Sequence, residues 1–303
     1  MERLPFDKPG QWWRGNLHTH STVSDGKKSP EYVVAAYRDE GYDFISLTDH
    51  FLKQYDYPVV DTSGLRDDQI TTIFGAELHG PALSHGELWH IVAVGLPLDF
   101  PPKQEHETGP DMAARAAAAG AFVGIAHPSW YNLTLADAMQ VVPYADAVEV
   151  YNATARFDND GGDGWYLADQ ISTTTGKPLL AYAADDAHFH TRPDRFSGWV
   201  WVKAEERTPE ALLAALKAGS FYSSQGPTFT DVRREGDDLV IATSPVNEIM
   251  LTGIGSKRRC YSEPGITEAR LPIAPFAGEW ARVTIIDANG KRAWTSPFVV
   301  DEL

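Results

Sequence analysis

The feature that most constrains the fold is an alternation of short apolar runs with amphipathic stretches, which continues to about residue 225. Several of these runs are apolar almost throughout, as strands buried on both faces are. Repeated strand–helix units indicate a parallel sheet, either open or closed into a barrel. The predicted strands are Phe44–Thr48, Ile70–Gly75, His90–Gly95, Ala121–Ala126, Ala147–Tyr151, Pro178–Ala183 and Gly198–Val202.

The stretches between these strands carry signals for the beginning and end of helices. Ser29, Pro30 and Glu31 supply an N-cap, a proline at the first helical position and an early acid, and Gly41 follows the last turn. The same arrangement recurs at residues 208–210. We therefore predict helices that begin after Ser29 and after residue 208.

The pattern changes near Gly226, beyond which the apolar runs are short and separated by turn signals such as Asn289-Gly290. We predict two domains, an α/β domain over residues 1–225 and a small all-β sandwich over residues 226–303. The predicted strands of the second domain are Asp238–Thr243, Glu248–Leu251, Ala269–Ile273, Ala281–Asp287 and Ala293–Val300.

The charge balance excludes several classes of partner. The 303 residues include 26 Lys and Arg against 42 Asp and Glu, a net charge of −16. An acidic surface repels phosphate backbones and anionic membranes, so we expect neither a membrane nor a long nucleic acid as partner. Cys260 is the one cysteine, which excludes an intrachain disulfide and a Cys-rich zinc site. The chain has no signal-like start and no apolar run of about 20 residues, so we expect a soluble, cytoplasmic protein.

Histidines and carboxylates recur at the C-terminal ends of the predicted strands, with His90 and Asp25 as the exceptions. In a parallel β/α barrel these ends converge on one face, where active sites lie. The spacing of His18 and His20 also places both imidazoles on one side of an extended strand. The candidate metal ligands are His18, His20, Asp25, His50, Glu77, His90, His127, Asp186 and His188.

This set is too large for one ion, so it predicts two or three divalent ions, for which imidazole and carboxylate favour Zn, Mn or Fe. Glu77 is our choice for the bridging carboxylate, and Glu77 and Asp186 are the predicted catalytic residues. Asp185 stays open as an alternative ligand to Asp186. Two or three dications against three carboxylates leave a positive site that can bind an anionic substrate. Paired ions can activate a bridging hydroxide.

Four further residues are candidate phosphate-binding groups because each follows a predicted strand end. They are Arg156, His190, Arg192 and Arg195. The planar guanidinium fork suits phosphate oxygens. A solvated loop charge is the alternative for each of them, and His190 could instead pack near the cluster. Five tryptophans could line a pocket beside the metals, with packing in the core as the alternative favoured for most of them: Trp12, Trp13, Trp89, Trp130 and Trp165.

Other polar residues near these motifs have less specific signals. We predict that Asp49 orients a neighbouring imidazole rather than binding metal. His79, His85 and His106 match no motif, and we interpret them as loop histidines.

The candidate ligands fall within short motifs, which are Asn16-Leu-His-Thr-His-Ser, Ser24-Asp-Gly, Leu47-Thr-Asp-His, Gly75-Ala-Glu, His90, Ala126-His-Pro and Asp186-Ala-His. As a set, these motifs resemble the polymerase-and-histidinol-phosphatase (PHP) superfamily over roughly residues 11–225. The segments at residues 146–152 and 221–227 resemble the carbaryl-hydrolase-like (CehA/McbA) subgroup.

The resemblance implies a distorted (β/α)₇ TIM-like barrel with a metal cluster at its C-terminal mouth. It implies a first metal held by His18, His20, Glu77 and Asp186. It implies a second metal held by Glu77, His90 and His127, and a third held by Asp25, His50 and His188. One departure is Asp185, where the family often has serine.

These observations leave three hypotheses about function. The first is a phosphoesterase that acts on a small phosphorylated molecule through a metal-bridging hydroxide. The second is a carbamate, ester or amide hydrolase that uses the same metals. The third is a non-catalytic binding module. The sequence does not determine the substrate, the metals or the oligomeric state.

Overall fold

Six α-helices and sixteen strands follow one another along residues 4–303, the part of the chain that the computed structural model describes. The helices are α1 (Pro30–Asp39), α2 (Gly109–Ala118), α3 (Leu135–Val141), α4 (Ala153–Asn159), α5 (Trp165–Thr175) and α6 (Pro209–Lys217). The strands are β1 (Gln11–Asn16), β2 (Phe44–Leu47), β3 (His50–Phe51), β4 (Thr71–Gly80), β5 (Trp89–Val94), β6 (Phe122–Ile125), β7 (Ala147–Asn152), β8 (Leu180–Ala184), β9 (Trp199–Ala204), β10 (Phe221–Ser224), β11 (Phe229–Glu235), β12 (Asp238–Gly253), β13 (Arg258–Pro272), β14 (Trp280–Ile286), β15 (Arg292–Thr295) and β16 (Phe298–Val299).

Side-chain caps begin the predicted helices. The Ser29 side chain accepts a hydrogen bond from the Tyr32 backbone N–H at the start of α1, and Thr208 accepts one from Ala211 at the start of α6. Both caps precede a proline in the first turn, where its missing N–H costs nothing. The two predicted helix starts are confirmed. No helix within residues 4–303 combines the length and the apolar character needed to cross a membrane.

The large sheet is mixed, which corrects the expectation of an all-parallel sheet. Strands β1, β2 and β4 are parallel neighbours, and so are β6, β7 and β8. Strands β4 and β5 are antiparallel, because the connection at residues 81–88 contains no crossover helix. Strand β9 is antiparallel to both β1 and β10.

The register of this sheet places polar residues side by side. His50 of β3 lies opposite Glu77 in the parallel ladder with β4. In the antiparallel ladder between β4 and β5, His79 lies opposite His90. The middle of the sheet therefore carries four ionisable side chains within two neighbouring ladders.

The C-terminal strands pack around a separate apolar cluster, to which Leu239, Ile249 and Val283 contribute together with Leu4 and Tyr222. The sequence predicts two strands where the structure has the single long strand β12. Residues 244–247, which include Ser244 and Pro245, separate the two predicted strands. The register with β13 shifts between residues 242 and 248, so this segment is an irregularity within one strand and not a turn. Pairing of β10 with β15 joins these strands to the large sheet.

An ion pair connects β14 to α5. The Arg282 guanidinium donates to both carboxylate oxygens of Asp169, at 3.1 and 3.0 Å, and lies 4.0 Å from the Trp165 ring. Only 12% of the Arg282 side chain is exposed. Bidentate geometry and low exposure make this pair stronger than an ordinary surface ion pair.

We expect Arg282→Ala to lower the free energy of unfolding by about 2 kcal/mol, since it removes a charge-assisted bond and a cation–π contact. Urea denaturation measures the change. The matched control is Arg233→Ala, which breaks exposed pairs to Asp231 and Glu235 and should cost clearly less stability. Equal effects of the two variants would contradict a specific role for Arg282.

Candidate metal centre

Two loops at the strand ends are joined through their backbones and carry the first ligands. The His20 N–H donates to the Ala187 carbonyl at 2.9 Å, and the Asp186 N–H donates to the His18 carbonyl at 2.9 Å. These bonds bring His18 and His20, which follow β1, next to Asp186, which follows β8. Asp186 adopts a left-handed conformation with a φ of 54°. Such strain in a non-glycine residue is typical of functional sites.

Seven buried polar atoms in this region have no hydrogen-bond partner within residues 4–303. Three are the Nδ1 atoms of His20, His79 and His127, and the other four are His18 Nε2, His20 Nε2, Glu77 Oε2 and Asp186 Oδ1. The Nε2 atoms of His18 and His20 lie 3.2 and 2.9 Å from Asp186 Oδ1, and 3.7 and 3.6 Å from Glu77 Oε2. Ligand atoms about 2.1 Å from one ion in a tetrahedral site are about 3.4 Å apart. His18, His20 and Asp186 therefore form one group that could hold a cation, and Glu77 Oε2 lies beside its two nitrogens.

Glu77 is fully buried, and its two carboxylate oxygens face different groups. Oε1 lies 2.8 Å from His90 Nδ1 and 3.2 Å from His127 Nε2. Oε2 lies 2.7 Å from His50 Nδ1 and faces His18 and His20 at 3.7 and 3.6 Å. One carboxylate oxygen on each side is the arrangement that a bridging ligand requires.

A third group lies nearer to the solvent. Asp25 Oδ1 is 3.4 Å from His50 Nε2 and 3.4 Å from His188 Nε2, and His20 completes a set that could hold an ion. The Nδ1 of His188 is 2.8 Å from the Asp186 carbonyl oxygen. An N–H donated at that position leaves the Nε2 lone pair free for a ligand.

The charge environment favours neutral imidazoles at some positions and ionised carboxylates at others. Burial lowers the pKa of His20 to about 3 and that of His90 to about 3. Burial alone would raise the pKa of Glu77, but the charges on neighbouring histidines hold it well below its usual range. Metal ligation requires neutral imidazole and ionised carboxylate.

The pKa values of His50 and His188 are raised instead of lowered, because carboxylates face both imidazoles. Burial lowers the pKa of His50, but Glu77 and Asp25 outweigh it and raise that pKa to about 11. Burial opposes the effect of Asp25 and Asp186 on His188, whose pKa rises to about 9. The excess negative charge that attracts these protons would equally attract a dication. The donor set as a whole fits Zn, Mn or Fe.

Glu149, on β7, is a polar residue of the site that the sequence analysis did not single out as a functional residue. Its carboxylate lies 3.1 Å from His18 Nδ1 and accepts hydrogen bonds from the His127 N–H at 2.6 Å and from the Asn152 amide at 3.0 Å. A carboxylate behind a ligating histidine fixes its ring orientation and tautomer. Glu149 thus positions two of the predicted ligands.

Two aspartates beside the cluster serve the surrounding loops. Asp185 accepts hydrogen bonds from the Tyr37 hydroxyl at 2.7 Å and from three successive backbone N–H groups at residues 196–198. Its carboxylate therefore points away from His18, and Asp186 is the one that faces the histidines. Asp49 binds the Ser21 and Ser24 hydroxyls at 2.7 and 2.6 Å, so it fixes the loop that leads to Asp25.

The interpretation of His79 as a loop histidine is wrong. His79 lies in β4, is 3% exposed, and places its Nε2 2.8 Å from His50 Nδ1 and 3.5 Å from Glu77 Oε2. The alternation of side chains along a strand puts residues 77 and 79 on the same face. That periodicity could have identified His79 from the sequence.

A cavity of about 480 Å³ opens above the cluster. Its lining includes His190 and Arg192 among the predicted phosphate-binding residues, together with Trp130 and Phe157. Arg192 forms an ion pair with Asp158, which also lines this cavity.

The other two predicted phosphate-binding residues lie elsewhere. Arg156 borders a separate groove of about 460 Å³ that Arg282 and Arg292 also line. Arg195 lies over the Phe189 ring at 5.2 Å and donates to the Arg192 carbonyl at 3.5 Å. Neither side chain is part of the lining of the metal-site cavity. Position after a strand end did not give the direction of the side chain.

Comparisons with known proteins bear on the fold. The sequence matches no family model and no curated protein. A two-domain protein from Bacteroides vulgatus, described as containing a predicted PHP-like metal-dependent phosphoesterase, superposes with a TM-score of 0.54 at 16% identity. The alignment covers 98% of this chain and 99% of that chain. The two proteins share a fold.

Two further solved structures are more distant. PsfC from Pseudomonas syringae gives a TM-score of 0.47 at 14% identity and covers 69% of this chain and 88% of its own. The lesion-specific endonuclease PfuEndoQ from Pyrococcus furiosus gives a TM-score of 0.47 at 14% identity and covers 68% of this chain and 56% of its own. We base the fold assignment on the Bacteroides protein alone.

Proposed function

We propose that the protein is a metal-dependent phosphoesterase that hydrolyses a small phosphorylated molecule. The observation that carries the proposal is the geometry of Glu77 inside a buried cluster, where Oε1 faces His90 and His127 and Oε2 faces a different set of histidines: His18, His20 and His50. The unpartnered buried atoms of His18, His20 and Asp186 support it, since such atoms are costly unless a ligand satisfies them.

We assign the ligands as the resemblance implies. His18, His20, Glu77 and Asp186 would hold one ion, Glu77, His90 and His127 would hold a second, and Asp25, His50 and His188 would hold a third. When bound, Zn, Mn or Fe ions supply Lewis acidity and a water activated at neutral pH.

The chain's own residues bind and orient the substrate. Arg192 and His190 lie in the cavity lining where a phosphoryl group would enter, and the guanidinium can donate two parallel hydrogen bonds to its oxygens. Asp158 holds the Arg192 guanidinium at the cavity until a phosphate group takes the place of the Asp158 carboxylate. Glu149 keeps the ring of His18 oriented through Nδ1.

The shared fold and the motifs support finer proposals. We propose membership of the PHP superfamily and its CehA/McbA-like subgroup, with a distorted (β/α)₇ barrel over residues 1–225. Residues 226–303 would then form an accessory β-sandwich. A small phosphoester is the expected partner, in the cytoplasm.

The test measures metal content and hydrolysis on the same purified protein. We expect about two to three ions per chain and phosphate release from para-nitrophenyl phosphate with added Mn²⁺. Chelation should abolish turnover, and added Mn²⁺ should restore it. Cleavage of 1-naphthyl methylcarbamate without phosphate release would instead support the carbamate hydrolase. A metal-free protein that turns over neither compound would leave the binding-module hypothesis.

A further inference from the structure

The cavity above the metal cluster has two chemically different walls. Trp130 belongs to the first wall, where its ring lies 5.4 Å from the His90 ring and 5.3 Å from the His127 ring. Its carbonyl accepts a hydrogen bond from the Asn159 amide at 2.8 Å, and Asn159 is the last residue of α4. Helix α4 also carries Phe157, so both aromatic residues belong to one connected part of the lining.

Phe157 is unusual among the apolar residues because it is 42% exposed yet lines the cavity. An isolated exposed phenylalanine on a surface needs no explanation. Here it shares a concave site with Trp130, where a ligand could cover both side chains. Removing that apolar area from water would favour binding.

The second wall is polar and comes from the loop at residues 190–194. It contributes Arg192, whose ion pair with Asp158 reaches across to α4, next to Phe157. A phosphoryl group that binds Arg192 would compete with Asp158 for the guanidinium. The rest of the same ligand would then lie close to the aromatic wall.

We propose that the site takes phosphomonoesters whose alcohol carries a flat ring within one or two bonds of the ester oxygen. The phosphoryl group binds at the metal cluster and Arg192, and the ring lies against Phe157 and Trp130. This inference rests on the proposed phosphoesterase function. Hydrolysis consumes one water: its oxygen bonds to phosphorus, the ester P–O bond breaks, and the alcohol leaves with a proton from that water.

The experiment compares benzyl phosphate with ethyl phosphate. Both release an alkyl alcohol, so a difference in kcat/KM reports the ring and not a better leaving group. We expect benzyl phosphate to be preferred about tenfold, since burial of a ring adds to an aromatic contact. Phe157→Ala should reduce this preference about fivefold, and Phe157→Tyr should retain it.

Tyr166→Ala is the matched control, because Tyr166 is 76% exposed on α5 and lines no cavity described above. The preference should be unchanged in this variant. Inhibition by benzylphosphonate relative to methylphosphonate gives a second readout that needs no turnover of the inhibitor, and Phe157→Ala should weaken only the former.

The outcomes separate the two proposals. Hydrolysis of both esters with equal kcat/KM, or a benzyl preference that Phe157→Ala leaves intact, overturns the ring inference and leaves the phosphoesterase standing. Failure to hydrolyse either ester at full metal content overturns the phosphoesterase, and the inference that rests on it fails as well.

Discussion

Glu77→Ala is expected to remove the metal from two of the proposed positions and to lower kcat/KM for a phosphomonoester by about a thousandfold or more. The reason is that one carboxylate faces both His90 and His127 through Oε1 and both His18 and His20 through Oε2. No neighbouring side chain can take both positions. Metal analysis and initial rates on the same preparation give the two readouts.

The control for Glu77 is another buried carboxylate outside the cluster. Asp137 is 3% exposed and accepts hydrogen bonds from the Ser84 and Thr134 hydroxyls, both at 2.7 Å. Asp137→Asn should cost stability but leave metal content unchanged. A Glu77→Ala protein with full metal content and full activity would refute the bridging assignment.

The sequence predicts most clearly those residues whose position follows from strand geometry. The spacing of His18 and His20 requires both rings on one side of an extended segment, and the structure places both beside Asp186. Glu149 was not identified because it lies inside β7 instead of at its end. His79 was missed because the predicted strand ends at Gly75, whereas β4 continues to Gly80. A single polar residue in an apolar run does not reveal whether it faces the core or a site.

Side chains beyond the strand ends could not be predicted in the same way. Arg156 follows β7 by a few residues, but it lies on α4, where direction depends on helical phase. The face of α4 that carries Phe157 borders the metal-site cavity, whereas Arg156 borders a different groove. A position shortly after a strand predicts that a residue lies near the sheet end, but it does not predict the direction of its side chain.

The same reasoning applies to the fold. The apolar runs predict most strands of the large sheet, but they carry no information on strand direction. The direction of β5 depends on its helix-free connection to β4, and the direction of β9 depends on its pairing with β1, which is distant in sequence. The sequence analysis also left β1 without a predicted strand, because Gln11 and Arg14 interrupt its apolar character.

The second large effect is expected for Glu149→Ala. This change should weaken metal binding about 10- to 100-fold, because His18 loses the carboxylate behind its Nδ1 and the His127 N–H loses its acceptor. The unsatisfied buried N–H should also lower the free energy of unfolding by about 1–3 kcal/mol. Competition with a chelator measures metal affinity, and urea denaturation measures stability.

Glu149→Gln distinguishes orientation of the ligands from simple loss of volume. The amide oxygen can still accept from His18 Nδ1, but its NH₂ group must then face the His127 N–H and the Asn152 amide, which are both donors. The glutamine variant should therefore keep the cavity filled and still bind metal more weakly than the native protein. If its chelator competition curve matched the native one, the carboxylate would be a packing group and the orientation of His18 would depend on β1 and its loop alone.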